Sequence, residues 1–469
     1  MQTRKPSGLF QIGQSRRLRQ SACPVPLAKR FLIFRFILKS FSPKVLVVIK
    51  DGEIQYEYYD QKYSKDQPHV LWSLSKTITG ALLGIAVRDG KLNLSQKLAD
   101  FYPEPNRDAN FGHITLQNLF YLDTGFVWDE YYTGNVQNSP VINMLYASGH
   151  TDMARFAASR PIIPEGPGYK WNYSTGTPTL TMGVLKNVYG DEYKQMPWKS
   201  LFNPLGMKNT VFEQDASGTF IGGSSVFATP RDIAKIAYLY LNHGQWNGQV
   251  ILPEEWIQKT LTPSPGYISD GTVIHDITDD GVYGGSIWLN HAIKPGFGRP
   301  YPYSPEDMYL GLGHFGQLMI MLPSQNMVIA RTGYDEEYNS KVDEFVSRAI
   351  SCFSNPNYPI GKNIPPPKSE HVGIKQIFQV LFSGIRDDII QAAVAKSVCS
   401  CHFVSKVDVS TCVERSNVPL AKETTRVSLN QDSVEGQESL FASLLGFHHG
   451  KQVHATYDEK NPQFGCTLQ

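Results

Sequence analysis

Ser73 and Lys76 stand three residues apart in the stretch Leu71-Trp72-Ser73-Leu74-Ser75-Lys76-Thr77-Ile78. That spacing puts both side chains on one face of a helix. The serine offers a hydroxyl nucleophile. A lysine beside it, partly desolvated and close to the positive end of a helix, is pushed toward the neutral amine that can accept a proton. Apolar residues follow at Ile78, Leu82, Leu83, Ile85 and Ala86, and the run stops at Arg88-Asp89-Gly90, a base and a glycine where a helix ends. The expected element is therefore a helix with Ser73 at or just before its first turn. Its exposed amides favour an alkoxide and any oxyanion formed from it. Alone, an S-x-x-K spacing equally describes a helix N-cap with a solvated lysine. What distinguishes this one is its place at the opening of an apolar helix, with partners downstream.

Two later stretches could supply those partners. Gly168-Tyr169-Lys170-Trp171-Asn172-Tyr173-Ser174-Thr175-Gly176 follows a Pro/Gly loop and precedes an apolar run from Leu180 to Val188. A tyrosine at such a loop mouth relays protons once a nearby cation stabilises its phenolate, and Tyr173 is the candidate. For one tyrosine among 24 the commoner role is a core residue with a satisfied hydroxyl. Further on, Gly311-Leu312-Gly313-His314-Phe315-Gly316-Gln317 lies between strands, where glycines let a substrate or another backbone approach. Trp128, in the aromatic loop Phe126-Val127-Trp128-Asp129-Glu130-Tyr131-Tyr132, is a candidate pocket wall, although loop aromatics more often pack locally.

The elements that must position these groups follow from pattern. Val45–Ile49 is a short, uninterrupted apolar run, as a buried strand reads; Lys50-Asp51-Gly52 is a hairpin signal; Glu53–Tyr58 alternates. Helical segments are expected near 114–120, 141–147 and 153–158, and an apolar run spans 180–188. A further helix runs over 233–241, with Thr229 as its cap and Pro230 at its first position. Strands are expected at 308–310, 318–322 and 327–332, with a turn at 323–326, then a helix from Val342 to Ile350. Two strands, a helical middle, three strands and a helix give an α/β (α+β) fold. It would be one antiparallel sheet built from both ends of the segment and flanked by helices, with the middle as an inserted helical lobe. Ser73 would lie at the seam.

With 469 residues the chain exceeds one ordinary domain, and 41% hydrophobic content suffices for a large core. A net charge of +1 gives no reason to expect a nucleic-acid partner. Residues 1–43 form a basic leader, and no acid precedes Asp51. Its apolar segment suits a signal peptide, but Arg35 interrupts that segment and no small-residue cleavage site follows. An Arg-rich, acid-free leader also suits an organelle transit peptide, and a plain disordered extension fits as well. No run of about 18 apolar residues is present, so no spanning helix is expected.

The segment from about Val45 to Ile350 resembles the serine β-lactamase and penicillin-binding-protein superfamily, on its class C-like and esterase side. Trp72-Ser73-Leu74-Ser75-Lys76 carries the likeness for S-x-x-K, Tyr173-Ser174-Thr175 for the Y-x-N element, and His314-Phe315-Gly316 for the K-T-G element. Phe202–Met207 and Ala228–Asp232 also resemble stretches typical of it. The resemblance implies acyl transfer. Ser73 would form an acyl-enzyme, Lys76 and Tyr173 would share its proton, and the amides of Ser73 and Gln317 would form the oxyanion hole. His314, Gly316 and Trp128 would contact substrate, and no metal or organic cofactor would be needed. His314, Phe315 and Thr175 replace the lysine, threonine and asparagine of penicillin-recognising members. That points to a small ester or linear amide, as in the superfamily's esterases and 6-aminohexanoate-dimer hydrolases. A β-lactamase or D-Ala-D-Ala carboxypeptidase is the second reading, and a non-catalytic binding protein of the same fold the third.

A Pro-rich linker is expected at 354–372, after a hydrolase domain at 44–353 and before a C-terminal module at 373–469. Helices are expected at Ile374–Leu381 and Asp387–Lys396, and strands at Arg426–Leu429 and Val453–Tyr457. Four of the six cysteines fall in the module, which suits two disulfides and an oxidising compartment, hence an exported protein. Cys399 and Cys401 would pair separately with Cys412 and Cys466. A metal site using His402 is the rival, but C-x-C is not the usual zinc spacing.

Overall fold

The structure, a computed structural model, describes residues 43–103, 108–130, 138–267, 282–292, 298–335, 341–361, 387–415, 425–429, 433–438 and 453–469. The leader, apart from Pro43, and the helix expected at 374–381 lie outside the described residues.

Val45–Lys50 (β1) and Glu53–Tyr59 (β2) form the expected hairpin. Asp51 and Gly52 both take positive φ, as a tight two-residue turn demands. The serine helix, Ser75–Arg88 (α1), comes next, followed by the helical lobe, whose longest helix is Gly176–Tyr189 (α2). Pro230–Leu241 (α3) starts where its sequence said, with the Thr229 hydroxyl accepting from the Asp232 amide. Two strands of two residues, Val282–Tyr283 (β3) and Trp288–Leu289 (β4), had no readable pattern. Tyr309–Gly313 (β5), Gln317–Leu322 (β6) and Met327–Thr332 (β7) follow, then Val342–Phe353 (α4).

These strands make one antiparallel sheet in the order β2-β1-β7-β6-β5-β4-β3. The first and last strands of the segment meet at its heart, Val45 opposite Thr332 and Ile49 opposite Val328. Both faces are covered, so Val45 to Ile49 are all buried, which is why β1 reads as a continuous apolar run. The helix α3 packs on β1, β6 and β7. Among the described residues no helix is long and apolar enough to cross a membrane.

The C-terminal module has its own small core around Val394, Val398, Val434 and Ala455. A helix, Asp387–Cys399 (α5), packs against a four-stranded antiparallel sheet of Thr425–Leu429, Ser433–Glu438, Val453–Tyr457 and Cys466–Leu468. Disulfides join Cys399 to Cys466 and Cys401 to Cys412, so neighbouring cysteines do take separate partners. His402 Nδ1 donates to the Val407 carbonyl at 2.8 Å, and the cysteines on either side of it in the module are held in disulfides. Of the expected linker, residues 355–361 fold back on α4, where the Gly361 amide reaches Ser347 Oγ at 2.9 Å.

One carboxylate ties the module to the larger domain. Glu213, 3% exposed at its side chain, pairs with Lys396 of α5. It also accepts from Ser400 Oγ at 2.6 Å and from the Cys466 amide at 3.0 Å. Burial holds the Lys396 amine below its usual pKa, and the Glu213 charge opposes that. Removing one partner of such a pair strands the other charge away from water. Glu213→Ala is expected to destabilise the protein by about 3–5 kcal/mol in denaturant unfolding. The double variant Glu213→Ala/Lys396→Met should recover part of that loss; equal unfolding of wild type and single variant would contradict the anchor.

Candidate active site

A single 3-10 turn, Trp72–Leu74, carries Ser73 into α1. Trp72 has φ +49°, an unfavourable conformation for a bulky residue, held next to the nucleophile. The turn is pinned from outside. The Leu71 amide donates to the Val226 carbonyl at 2.8 Å, and Ser75 Oγ accepts from the Val226 amide at 3.1 Å. Close approach by β5 fixes its other side: a Cβ on Gly313 would lie 2.1 Å from the Leu71 carbonyl oxygen. That is the glycine role expected for this stretch.

Lys76 is 1% exposed and makes three hydrogen bonds. Its Nζ donates to Ser73 Oγ at 3.0 Å, Thr175 Oγ1 at 3.1 Å and the Gly223 carbonyl at 3.0 Å. It also sits over the Tyr173 ring, 4.5 Å from the centroid. Burial lowers its pKa from 10.5 to about 8, with the Glu130 carboxylate pulling the other way. The amine is thereby poised to lose its proton near neutral pH, beside a half-buried serine hydroxyl.

Tyr173 arrives from the loop before α2. Its ring stacks on Trp288 at 5.6 Å and meets Tyr283 edge-on at 5.9 Å, so the two short strands β3 and β4 supply its wall. The same hairpin holds α1, as Thr77 Oγ1 donates to the Ser286 carbonyl at 2.9 Å. Ser73, Lys76 and Tyr173, a hundred residues apart at the extremes, are thus brought together.

Glu130 was not singled out from the sequence, and it organises the back of the site. It accepts from the Thr175 amide and, at 3.1 Å, from Thr175 Oγ1, the same oxygen that accepts from Lys76. Trp128 Nε1 donates to Glu130 at 2.7 Å. Trp128 itself is 4% exposed and packs at Gly176, where a Cβ would meet its ring at 2.5 Å. The structure places it behind the site rather than on a pocket wall, because its indole is spent on orienting Glu130. Nothing periodic marks Glu130 in its aromatic loop; the only signal is an acid two residues from a tryptophan.

The third element is also more specific than its sequence suggested. His314, Phe315 and Gly316 form the turn between β5 and β6, with Gln317 opposite Gly313. Gln317 Nε2 donates to the His314 carbonyl at 3.0 Å and the Gly333 carbonyl at 2.9 Å. Arg331, 2% exposed, donates to the Gly316 carbonyl at 2.5 Å. These bonds lock the turn against Trp72, whose ring lies 5.9 Å from that of His314. His314 is exposed at the surface, yet the protein packed around it lowers its imidazole pKa by desolvation.

Comparison with known proteins places the fold and the family. Residues 44–333 match the Beta-lactamase family. A 6-aminohexanoate-dimer hydrolase from Paenarthrobacter ureafaciens is 19% identical over 286 residues, covering 54% of this chain and 71% of that protein. A structure from Bacillus anthracis, assigned as a 6-aminohexanoate-dimer hydrolase, aligns with TM-score 0.53 at 21% identity over 71% of this chain and 82% of its own. SurE with D-Leu bound aligns with TM-score 0.51 at 16% identity over 94% of this chain and 97% of its own. At these identities the structural matches speak to the fold, and the last spans the C-terminal module as well.

The Gly223 carbonyl reaches Lys76 only because its Cα lies against Thr175, where a Cβ would meet the Thr175 carbonyl oxygen at 2.3 Å. Gly223→Ala is expected to destabilise by about 1–3 kcal/mol through overpacking. Gly112→Ala, with nothing within 4 Å of the new methyl, should be near neutral by comparison. Thermal unfolding of both variants checks this, and equal melting would contradict the close packing.

Proposed function

The chain belongs to the Beta-lactamase family, and we propose that it is a serine hydrolase cleaving a small ester or linear amide through an acyl-enzyme on Ser73. The observation that carries this reading is the buried Lys76 amine, 3.0 Å from Ser73 Oγ and lowered to about pKa 8. Lys76, with Tyr173 against it, takes the Ser73 proton as Oγ bonds to the carbonyl carbon. The proton then passes to the departing alcohol or amine as the ester or amide bond breaks. A water molecule cleaves the acyl-enzyme by the same exchange in reverse. The Ser73 amide, with an amide from the hairpin end between Gly313 and Gln317, receives the oxyanion.

Two features favour esters and linear amides over penicillins. His314 stands where a lysine would meet an antibiotic carboxylate, and desolvation keeps its imidazole toward the neutral form. Thr175, at the asparagine position, is engaged by Lys76 and Glu130 rather than presented to an acylamide. The similarity to a protein named 6-aminohexanoate-dimer hydrolase supports the amide side. The two disulfides support an exported protein, since such bonds persist in oxidising compartments. If they form in the purified protein, reduction should release four additional thiols in a denatured thiol titration.

A panel of p-nitrophenyl esters, linear amides and nitrocefin tests the reading. Ester turnover is expected in the wild type, falling by roughly 10⁴-fold or more in Ser73→Ala. Little nitrocefin turnover is expected; efficient hydrolysis of nitrocefin would reverse the order of substrates. A protein that does not react with a fluorophosphonate at Ser73 would be a binding module instead. Glu130→Gln should move the acid limb of the pH–kcat/KM profile to lower pH, because the charge that raises the Lys76 pKa is removed. A limb that stays in place or moves up would show that Lys76 is not the group being titrated.

A further inference from the structure

A cavity of about 150 Å³ lies where the C-terminal module meets the hydrolase domain. Ser73, Lys76 and Tyr173 do not line it, but their immediate neighbours do. Trp72 precedes the nucleophile, and Ser224 follows Gly223, whose carbonyl holds Lys76. Phe315 and Gln317 come from the β5–β6 hairpin. The opposite wall belongs to the module, with Val407 and the bridged pair Cys401 and Cys412.

We propose that this cavity seats the apolar acyl group of the substrate, and that the module sets how large that group can be. The inference rests on the hydrolase reading above and adds the substrate class to it. Its lining is mainly apolar, with Tyr146, Met153, Ile221 and Phe227 among the side chains that close it. The charged groups on it are paired: Glu213 with Lys396, and Lys44 with Asp60 at 3.3 Å. An uncharged group is therefore the fitting occupant. A cavity of this size, lined by apolar side chains, holds something of the bulk of benzene. The acyl group remains on the enzyme through both half-reactions, whereas the leaving group must escape. A concave space beside the nucleophile's turn, walled by both modules, suits the part that stays. Each methylene seated there should raise kcat/KM by roughly fourfold until the space is filled.

The module's wall is set by the Cys401–Cys412 bridge, which closes the loop carrying Val407. Two variants probe opposite walls. Val407→Trp fills the cavity from the module, and Tyr334→Ala, at a position 40% exposed, widens it from the hydrolase domain. With p-nitrophenyl acetate, butyrate, hexanoate, phenylacetate and dodecanoate, the wild type should favour phenylacetate and hexanoate over acetate by tenfold or more in kcat/KM. Val407→Trp should cut that ratio at least fivefold, and Tyr334→Ala should move the optimum to longer chains. Benzyl alcohol binding to Ser73→Ala, followed by calorimetry, should weaken by a similar factor when Val407→Trp is added. Ser73-dependent turnover with ratios and binding unchanged by both variants would overturn the cavity assignment while leaving the hydrolase standing. Absence of any Ser73-dependent turnover would overturn the hydrolase reading, and the acyl assignment with it.

Discussion

Everything in the hydrolase domain is arranged around keeping one amine out of water. A lysine brought into an apolar interior is penalised in its charged form, and that penalty favours the neutral amine, the form that can accept a proton. Lys76 is buried to that degree, yet it has three acceptors: a hydroxyl from the turn that leads into its own helix, a hydroxyl from the loop before α2, and a carbonyl from the segment before α3. Two distant stretches of chain must close on it together. The sheet supplies the fixed wall, as β5 runs so close to the serine turn that only glycine fits at 313. The helical lobe supplies the Tyr173 side. The Glu130 carboxylate, one hydrogen bond further back, opposes that penalty by favouring the charged amine.

The same logic recurs at the junction with the C-terminal module. There a buried carboxylate, Glu213, meets Lys396, Ser400 and the Cys466 amide. A charge pair sequestered like this adds little net stability over an apolar replacement, while loss of either partner alone is costly. Beside it lies the cavity that the two bodies share. Two disulfides brace a module whose own core is small, which is the usual remedy when little apolar surface is available. On the proposed reading, the hydrolase gains a wall from a part of the chain that contributes no reacting group.

Much of this was legible from residues alone where the signal is local. The spacing of Ser73 and Lys76 is fixed by helix geometry, so their meeting follows once the helix is granted. Asp51-Gly52 declares a hairpin, Thr229-Pro230 declares a helix start, and the apolar continuity of β1 declares a strand covered on both faces. Long-range partners left no such mark. Glu130 and Arg331 act through contacts with Thr175 and Gly316, made only in the folded chain. The strands Val282–Tyr283 and Trp288–Leu289 are too short for any periodicity to show, although they form the wall behind Tyr173. Trp128 was misplaced for a related reason: an aromatic on a loop looks available for substrate until its neighbours are known. His314-Phe315-Gly316 forms a hairpin turn, and that role became clear only with its partners Gln317 and Arg331.

The most direct test of the account is the protonation state of Lys76 itself. Selective isotope labelling and NMR titration of its ε-amine in the intact protein would follow that one group without any substrate. A midpoint near pH 8, moving down when the Glu130 charge is removed, is the expected result. A midpoint at or above the ordinary lysine value of about 10.4 would contradict the account, because a permanently charged ammonium cannot take the Ser73 proton.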